Sequence, residues 1–413
     1  MGPLHGLLAR AARAAVCAIA LAGFSHGALA QDSAAPAQEA QPLVVKIGLI
    51  RQIHSRDVIS ILDIPAENDA IAGARLGVED DNTTGRFLNQ SFSVEDVVLR
   101  EDDDPAKALD ALLARGIGLI LADLPAERLL ALADAAKGRN ALIFNISAPD
   151  DALREESCRA NVVHVAPSRA MLADGLAQYL VWKRWPRWLL VKGSHPQDEA
   201  LAAAFRRSAK KFGAKIVDER TYEDNGGGRR SDSGSVQTQR LIPATTQGAP
   251  AYDVLVAADE SEVFAGYLPY RTYDPRPVAG AAGLKPTSWD PTHEQWGAIQ
   301  LQNRFHRLAA RGMNERDNQA WVAVRMIGEA ATRTNAADPA SLRAYIVGPD
   351  FSIAAFKGQK QTLRRWNLQL RQPILLGDGR MIVSVSPQEG FLHQTSELDT
   401  LGFDQPETKC RLQ

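Results

Sequence analysis

The sequence predicts an α/β protein made of two doubly wound lobes, each a parallel sheet with helices on both faces. Short, continuous apolar runs such as "LVVKIGLI" from Leu43 are typical of strands buried on both faces of a parallel sheet. Amphipathic helical patterns separate these runs, and the alternation occurs once before Pro167 and once after it. The length of 413 residues also favours two domains over one.

The N-terminus has the pattern of a cleavable export signal over residues 1–30. Arg10 and Arg13 precede an apolar run at 14–24, which is too short to span a bilayer, and Ala28-Leu29-Ala30 forms a small-residue cleavage site. Residues 31–42, "QDSAAPAQEAQP", predict a flexible lead-in. No later segment is apolar for eighteen residues, so we expect no stable membrane insertion.

The first half then alternates strands with helices that have recognisable ends. The strands are predicted at "LVVKIGLI", "FSVEDVVLR", "IGLILA" and "ALIFNIS", and the helices at "DAIAGARLGVEDDN", "PAKALDALLARG" and "PAERLLALADAAKGRN". Pro105 and Pro125 suit first helical turns, and Gly116 and Gly138 lie where helices end.

The acidic run Glu101 to Asp104 has two interpretations. Asp104 stands directly before Pro105, where its carboxylate can cap the helix, and acids are favoured near a helix N-terminus. A hard-cation site also needs acids, but such sites normally draw them from spaced positions. The sequence favours capping and keeps the metal site as an alternative.

The second half repeats the alternation. Helices are predicted at "SRAMLADGLAQYLVWKRW", "QDEALAAAFRRSAKKFG", "EQWGAIQLQNRFHRLAARG" and "DNQAWVAVRMIGEAATRT", and strands at "RWLLVKG", "AKIVDERTY", "YDVLVAA" and "PVAGAAG". Residues 224–235 predict a flexible loop, and "LQLRQPILLGDGRMIVSVSP" predicts a hairpin that turns at "GDGR".

Charge and cysteine content narrow the function classes. The net charge of −2 gives no indication of a nucleic-acid partner. After cleavage Cys158 and Cys410 remain, which predicts one disulfide in an exported protein, with two free thiols as the alternative. Beyond the predicted signal peptide, the sequence has no G-x-S-x-G, H-E-x-x-H, C-x-x-C or phosphate-loop motif, so we expect neither an enzyme nor a bound metal or cofactor.

Several segments resemble a known family. "VVKIGLI", "AIAGARLGVEDDN" and "EDDDPAKALDALLARGIGLILA" are similar, in this order, to the first lobe of type I periplasmic binding proteins, the branched-chain amino-acid receptor class of ABC-transporter substrate-binding proteins. "CRANVVHVAPSRAMLADGLAQYLVWKRWPRWLLVKG" and "SVSPQEGFLHQTSELDTLGFDQPETKC" resemble the subfamily found with pyrroloquinoline-quinone-dependent alcohol dehydrogenase systems.

The resemblance implies a monomeric periplasmic protein that holds a small organic ligand between its lobes and delivers it to an ABC permease. It also implies a link to a quinoprotein dehydrogenase. It places three hinge crossings, near Ala166, Gly280 and Tyr345. The predicted first lobe is 43–165 plus 281–345, the second lobe is 166–280 plus 346–398, and 399–413 form a C-terminal tail.

Ligands of open α/β sheets lie beyond the carboxyl ends of the strands, which selects the candidate ligand-binding residues. They are Arg51, His54, Asp123, Asn145, Ser147, His195, Asp259 and, near a crossing, Trp289. Each has a plain structural alternative, such as an ion pair, a helix cap or a place in the core. The loops "RQIHSRD" and "ADLPAE" depart from the amino-acid receptors, since the second offers no hydroxyl group.

Two rival functions remain open at this point. A catalytic role would show as turnover that is lost when a polar cleft residue is changed. A sensor or accessory binding protein for a periplasmic quinoprotein dehydrogenase would share the fold and the cleft but have no permease.

Overall fold

The computed structural model describes residues 41–53, 64–224 and 232–412. The predicted signal peptide, most of the lead-in, His54 and much of the predicted loop 224–235 lie outside these ranges. The strands are β1 Leu43–Gln52, β2 Gln90–Leu99, β3 Leu119–Asp123, β4 Leu142–Asn145, β5 Val162–His164, β6 Arg187–Lys192, β7 Lys215–Thr221, β8 Val254–Ala258, β9 Val278–Gly280, β10 Lys285–Thr287, β11 Ile353–Ala354, β12 Lys360–Gln361, β13 Ile374–Gly377 and β14 Ile382–Ser386. The helices are α1 Ile71–Leu88, α2 Pro105–Leu113, α3 Ala126–Ala135, α4 Arg169–Trp182, α5 Pro196–Phe212, α6 Asp232–Thr246, α7 Leu268–Arg271, α8 Ala298–Ala309, α9 Glu315–Thr334 and α10 Pro339–Ile346.

Two parallel sheets form the centres of the two lobes, which confirms the predicted α/β fold class. The first has the strand order β2-β1-β3-β4-β5 and the second has the order β7-β6-β8-β9. Within the described ranges, no helix combines the length and apolar character needed to cross a bilayer.

Side-chain alternation explains why each sheet is covered on both faces. In β3, Leu119 and Leu121 belong to the core that contains α1 and α9, whereas Ile120 and Ala122 belong to the core that contains α2 and α3. The second sheet divides its strands in the same way between α4 and α5 on one face and the α6 side on the other. The period of two along a strand therefore turns each continuous apolar run into two separate cores.

The ends of the helices follow local chemistry. Asp104 accepts a hydrogen bond from the Ala106 N–H at 2.9 Å, and Pro105 is the first residue of α2, so the predicted cap is confirmed. Helix α6 begins at Asp232, so the last part of the predicted loop 224–235 is helical. The hairpin predicted at "GDGR" is β13 and β14, which pair antiparallel, and β10 joins them on the other edge.

Over the described residues before the C-terminal segment, the chain passes between the lobes three times, and the passages lie side by side. The first follows β5: the His164 N–H donates to Leu368 O, and the Leu370 N–H donates to His164 O, both at 2.8 Å. The second runs through β10. The third lies between Leu370, which packs in the first lobe, and Ile374, which packs in the second.

The third passage differs from the predicted position near Tyr345. Phe351, Ile353 and Leu370 are buried in the core of the first lobe together with α9 and α10, so the segment 346–370 belongs to that lobe. The chain moves to the second lobe at about residues 371–373. A local apolar pattern cannot show this difference, because it is the same whichever sheet the segment packs against.

The C-terminal segment packs against the second lobe and then reaches the first. Leu398 and Leu401 are buried in the core formed by α4 and α5, and Lys211 donates to the carbonyl of Thr400 at 2.8 Å. Further along, Cys410 is joined by a disulfide to Cys158 in the first lobe. The end of the chain is therefore a covalent link between the lobes in addition to the three passages.

Candidate functional site

A cleft of about 1300 Å³ lies between the two lobes and takes its lining from both. Its walls come from loops at the carboxyl ends of β3, β4, β6, β8 and β9, from the first turns of α3 and α9, and from β10. The polar and charged lining residues are Gln52, Glu101, Glu127, Arg128, Ser147, Asp150, Arg169, His195, Gln197, Asp259, Glu260, Ser261, Glu262, Lys285, Glu315, Arg316 and Gln319. A site at this edge of two parallel sheets is where a ligand is expected.

Three of the predicted site residues line this cleft. The Ser147 hydroxyl is 3.4 Å from Leu124 O, a distance that leaves it able to bind another group. His195 lies at the N-terminus of α5, and its Nε2 is 2.9 Å from Oδ2 of Asp224. The sequence therefore placed Ser147 and His195 on opposite walls of one cleft.

Asp259, the third, has a structural task. Its carboxylate accepts hydrogen bonds from the backbone N–H groups of Val263, Phe264 and Ala265 at 2.9, 2.8 and 2.6 Å. Burial raises the pKa of Asp259 above its ordinary value, while these donors act in the opposite direction. Asp259 therefore holds the shape of the loop that borders the cleft.

Four predicted residues lie outside the cleft lining. Arg51 makes two 2.9 Å bonds to Asp96, and Asp123 is buried at the end of β3. Asn145 is buried and braces the loop of Ser147 by accepting from its N–H at 3.2 Å. Trp289 is 1% exposed in the first-lobe core, so it does not line the cleft as predicted. His54, the remaining candidate, is outside the described residues.

The structure adds Arg169, which sequence reasoning missed. It is the first residue of α4, and it donates twice to Glu260 of the second lobe at 2.6 Å and once to Asp150 of the first lobe at 2.8 Å. Its pKa lies above the ordinary arginine value because these carboxylates outweigh the opposing effect of burial. Arg169 therefore joins the two walls at the base of the cleft.

Arg128 is a second missed cation. Its guanidinium donates to Gln52 Oε1 at 2.8 Å and to the carbonyls of Arg100, Glu101 and Asp103. The acidic run 101–104 is thus held through its backbone, while Asp104 caps α2. Among the described residues, no group of three or more His, Cys, Asp or Glu side chains could hold a metal ion.

Buried polar groups connect the cleft to the passages between the lobes. Glu315, on the cleft wall, accepts from Thr287 Oγ1 at 2.5 Å and from the Ser288 N–H at 2.6 Å, both on the second passage. Lys357 donates to Gln372 Oε1 at 2.7 Å on the third passage. Burial lowers the pKa of Lys357 to about 7.

Comparison with known proteins gives the family context. Residues 65–236 match the family model described as periplasmic binding protein. No curated protein matches the sequence. Many solved structures share the fold.

One of these structures is a branched-chain amino-acid ABC-transporter periplasmic ligand-binding protein from Burkholderia xenovorans LB400, with a TM-score of 0.68, 16% identity, and coverage of 89% of this chain and 99% of that one. A second is the leucine-, isoleucine-, valine-, threonine- and alanine-binding protein from Brucella ovis in a closed conformation. Its TM-score is 0.65 at 15% identity, with coverage of 91% of this chain and 100% of that one. A third is a solute-binding protein of an ABC transporter from Rhodopseudomonas palustris BisB5 in complex with 3,4-dihydroxybenzoic acid. Its TM-score is 0.59 at 12% identity, with coverage of 83% of this chain and 97% of that one. At these identities the likeness shows the fold.

Proposed function

We propose that the protein is a type I periplasmic binding protein that captures a small organic solute between its lobes and delivers it to an ABC permease. The observation that carries the proposal is the cleft of about 1300 Å³, which is lined from both lobes and lies beyond the carboxyl ends of both sheets. Among the described residues, the two bodies that such a solute touches are linked by the three passages, the C-terminal segment and the ion pairs of Arg169. Binding energy that both walls supply together favours the closed arrangement.

The mechanism needs no bond to be made or broken. Closing the cleft removes water from the ligand and from the polar groups on the walls, which strengthens each hydrogen bond that remains. Ser147 on the first wall and His195 on the second are placed to fix the orientation of the ligand. Asn145, Asp259 and Arg169 hold these walls in position through the bonds described above.

We further propose that the protein is exported to the periplasm and that its solute belongs to quinoprotein alcohol oxidation. The support is the sequence resemblance of the segments around Cys158 and near the C-terminus to binding proteins of that system. A short alcohol, the acid derived from it, or a quinone-type cofactor fits this context. Genes for a permease and an ATPase beside this one would support import over a sensor or accessory role.

Thermal-shift measurements on the purified mature protein test solute capture. A ligand that binds only the folded state raises the melting temperature in proportion to the logarithm of its excess over the dissociation constant. We expect a concentration-dependent rise with at least one alcohol, acid or quinone, confirmed by calorimetric titration. A flat response across these compounds and the amino acids would contradict the proposal.

A further inference from the structure

Arg316 differs from the other arginines of the cleft in how it is placed. It is the second residue of α9, and the N-terminus of that helix is already capped by Asn314, whose side chain accepts from the Asp317 N–H at 3.0 Å. A cation in a first helical turn is opposed by the helix dipole, so the dipole does not account for an arginine at this position of α9. Its side chain lies on the first-lobe wall of the cleft.

The guanidinium of Arg316 has hydrogen-bond donors to spare. Its nearest carboxylate is that of Asp123, with Nε 3.8 Å from Oδ1, which is beyond hydrogen-bond distance. Within the described part of the chain, Arg316 donates no hydrogen bond. In contrast, Arg128 and Arg169 each use several donors on protein acceptors.

Asp123 provides an independent second observation. It is 3% exposed at the end of β3, and its Oδ1 is buried without a hydrogen-bond partner. An acceptor of this kind stays unsatisfied unless a donor moves towards it. Arg316 and Asp123 thus form an incomplete pair, in which a small movement of the guanidinium would satisfy Asp123 while its other N–H groups face the cleft.

Most carboxylates on the cleft wall are already engaged with protein groups. Asp150 and Glu260 bind Arg169, Asp259 binds backbone N–H groups, and Glu315 binds the second passage. Among the described residues, Asp123 is the one carboxylate within 4 Å of the Arg316 guanidinium.

We propose that Arg316 is the specificity-determining residue of the cleft and that the ligand carries a carboxylate. The planar guanidinium binds the carboxylate through two parallel N–H donors, and Asp123 orients the guanidinium from behind. This inference rests on the proposed function and selects, from the alcohol, acid and quinone classes, the organic acids. An uncharged alcohol would leave the donors of Arg316 desolvated and unpaired when the cleft closes, which opposes its binding.

Matched pairs of compounds and matched variants test this assignment. Calorimetric titration compares benzoate with benzyl alcohol, butyrate with 1-butanol, and 3,4-dihydroxybenzoate with its alcohol. Arg316→Gln removes the charge, and Arg316→Lys keeps the charge without the two parallel donors of the guanidinium. Arg139→Gln is the control, since Arg139 pairs with Asp110 at the surface and is not among the residues that line the cleft. The double variant Asp123→Asn with Arg316→Gln avoids a buried unpaired carboxylate and keeps the test valid if the single variant unfolds.

We expect an acid of the panel to bind and its alcohol to bind far more weakly. Arg316→Gln should weaken acid binding by about 10- to 100-fold, as expected for the loss of a charge-assisted pair, with a smaller loss for Arg316→Lys. Arg139→Gln should bind as the wild type does. Equal acid binding by Arg316→Gln, or binding of alcohols alone, overturns the role of Arg316 and leaves solute capture standing, whereas binding of no compound overturns both.

Discussion

Removing the disulfide between Cys158 and Cys410 should lower the free energy of unfolding by several kcal/mol. The two cysteines are 252 residues apart, so the bond closes a loop that includes the whole second lobe. The chain-entropy relation for such a loop gives about 5.5 kcal/mol, an upper value because unfolded chains keep some residual structure. Both sulfur atoms are buried, at 2% and 5% residue exposure, so the serine replacements add a small cost of their own.

The assay is urea unfolding at neutral pH of three proteins: the oxidised wild type, the reduced wild type, and the double variant Cys158→Ser with Cys410→Ser. The reduced wild type and the double variant should agree with each other and lie several kcal/mol below the oxidised protein. Hydrogen exchange should also become faster over residues 403–412, because the hydrogen bonds of Thr408 and Lys409 to Glu155 would then hold them to the first lobe without a covalent bond. A difference below about 1 kcal/mol between oxidised and reduced protein would refute the reasoning.

Three further predictions address the hinge, the helix caps and the packing. The pKa of Lys357 is lowered to about 7 in the folded protein, so above that pH the unfolded chain binds up to one more proton than the folded protein. The free energy of unfolding should therefore rise by up to about 1.4 kcal/mol per pH unit between pH 7 and 10. In Lys357→Met, urea titrations over this range should lack that rise, and an unchanged slope would exclude Lys357 as its source. Asp104→Ala should lose about 1 kcal/mol in urea unfolding through loss of the cap, while Asp104→Asn should stay near wild type, and equal losses would argue against capping. Gly73→Ala should destabilise by about 1–3 kcal/mol or more in the same assay, because a Cβ there would lie 1.9 Å from Asp317 O, and a neutral result would contradict the close packing of α1 on α9.

The sequence predicted the elements of both sheets because their signals are local. The β-branched run at Leu43 and the Asp104-Pro105 pair each specify a strand or a helix start without reference to the rest of the chain. The same local signals do not specify partners. The segment 346–370 packs against the first sheet through Phe351, Ile353 and Leu370, a choice that depends on contacts with distant helices.

Residues of the candidate site could be predicted where they follow the carboxyl end of a strand, because ligands of parallel sheets lie there. Residues of the cleft in other positions could not be predicted. That rule located Ser147, His195 and Asp259 at the cleft. It missed Arg316 and Arg169, which stand in first helical turns, where a charged residue looks like part of an exposed helix face. Trp289 was assigned to the cleft from its position near a crossing, but its apolar ring is buried in the adjoining core.

Small-angle X-ray scattering of the mature protein, with and without a solute that raises its melting temperature, tests the central claim most directly. If the lobes shut on the solute, the radius of gyration should fall on addition of saturating ligand, and it should not fall with a non-binding analogue of the same size. A radius that stays constant while calorimetry shows full occupancy would contradict capture between closing lobes.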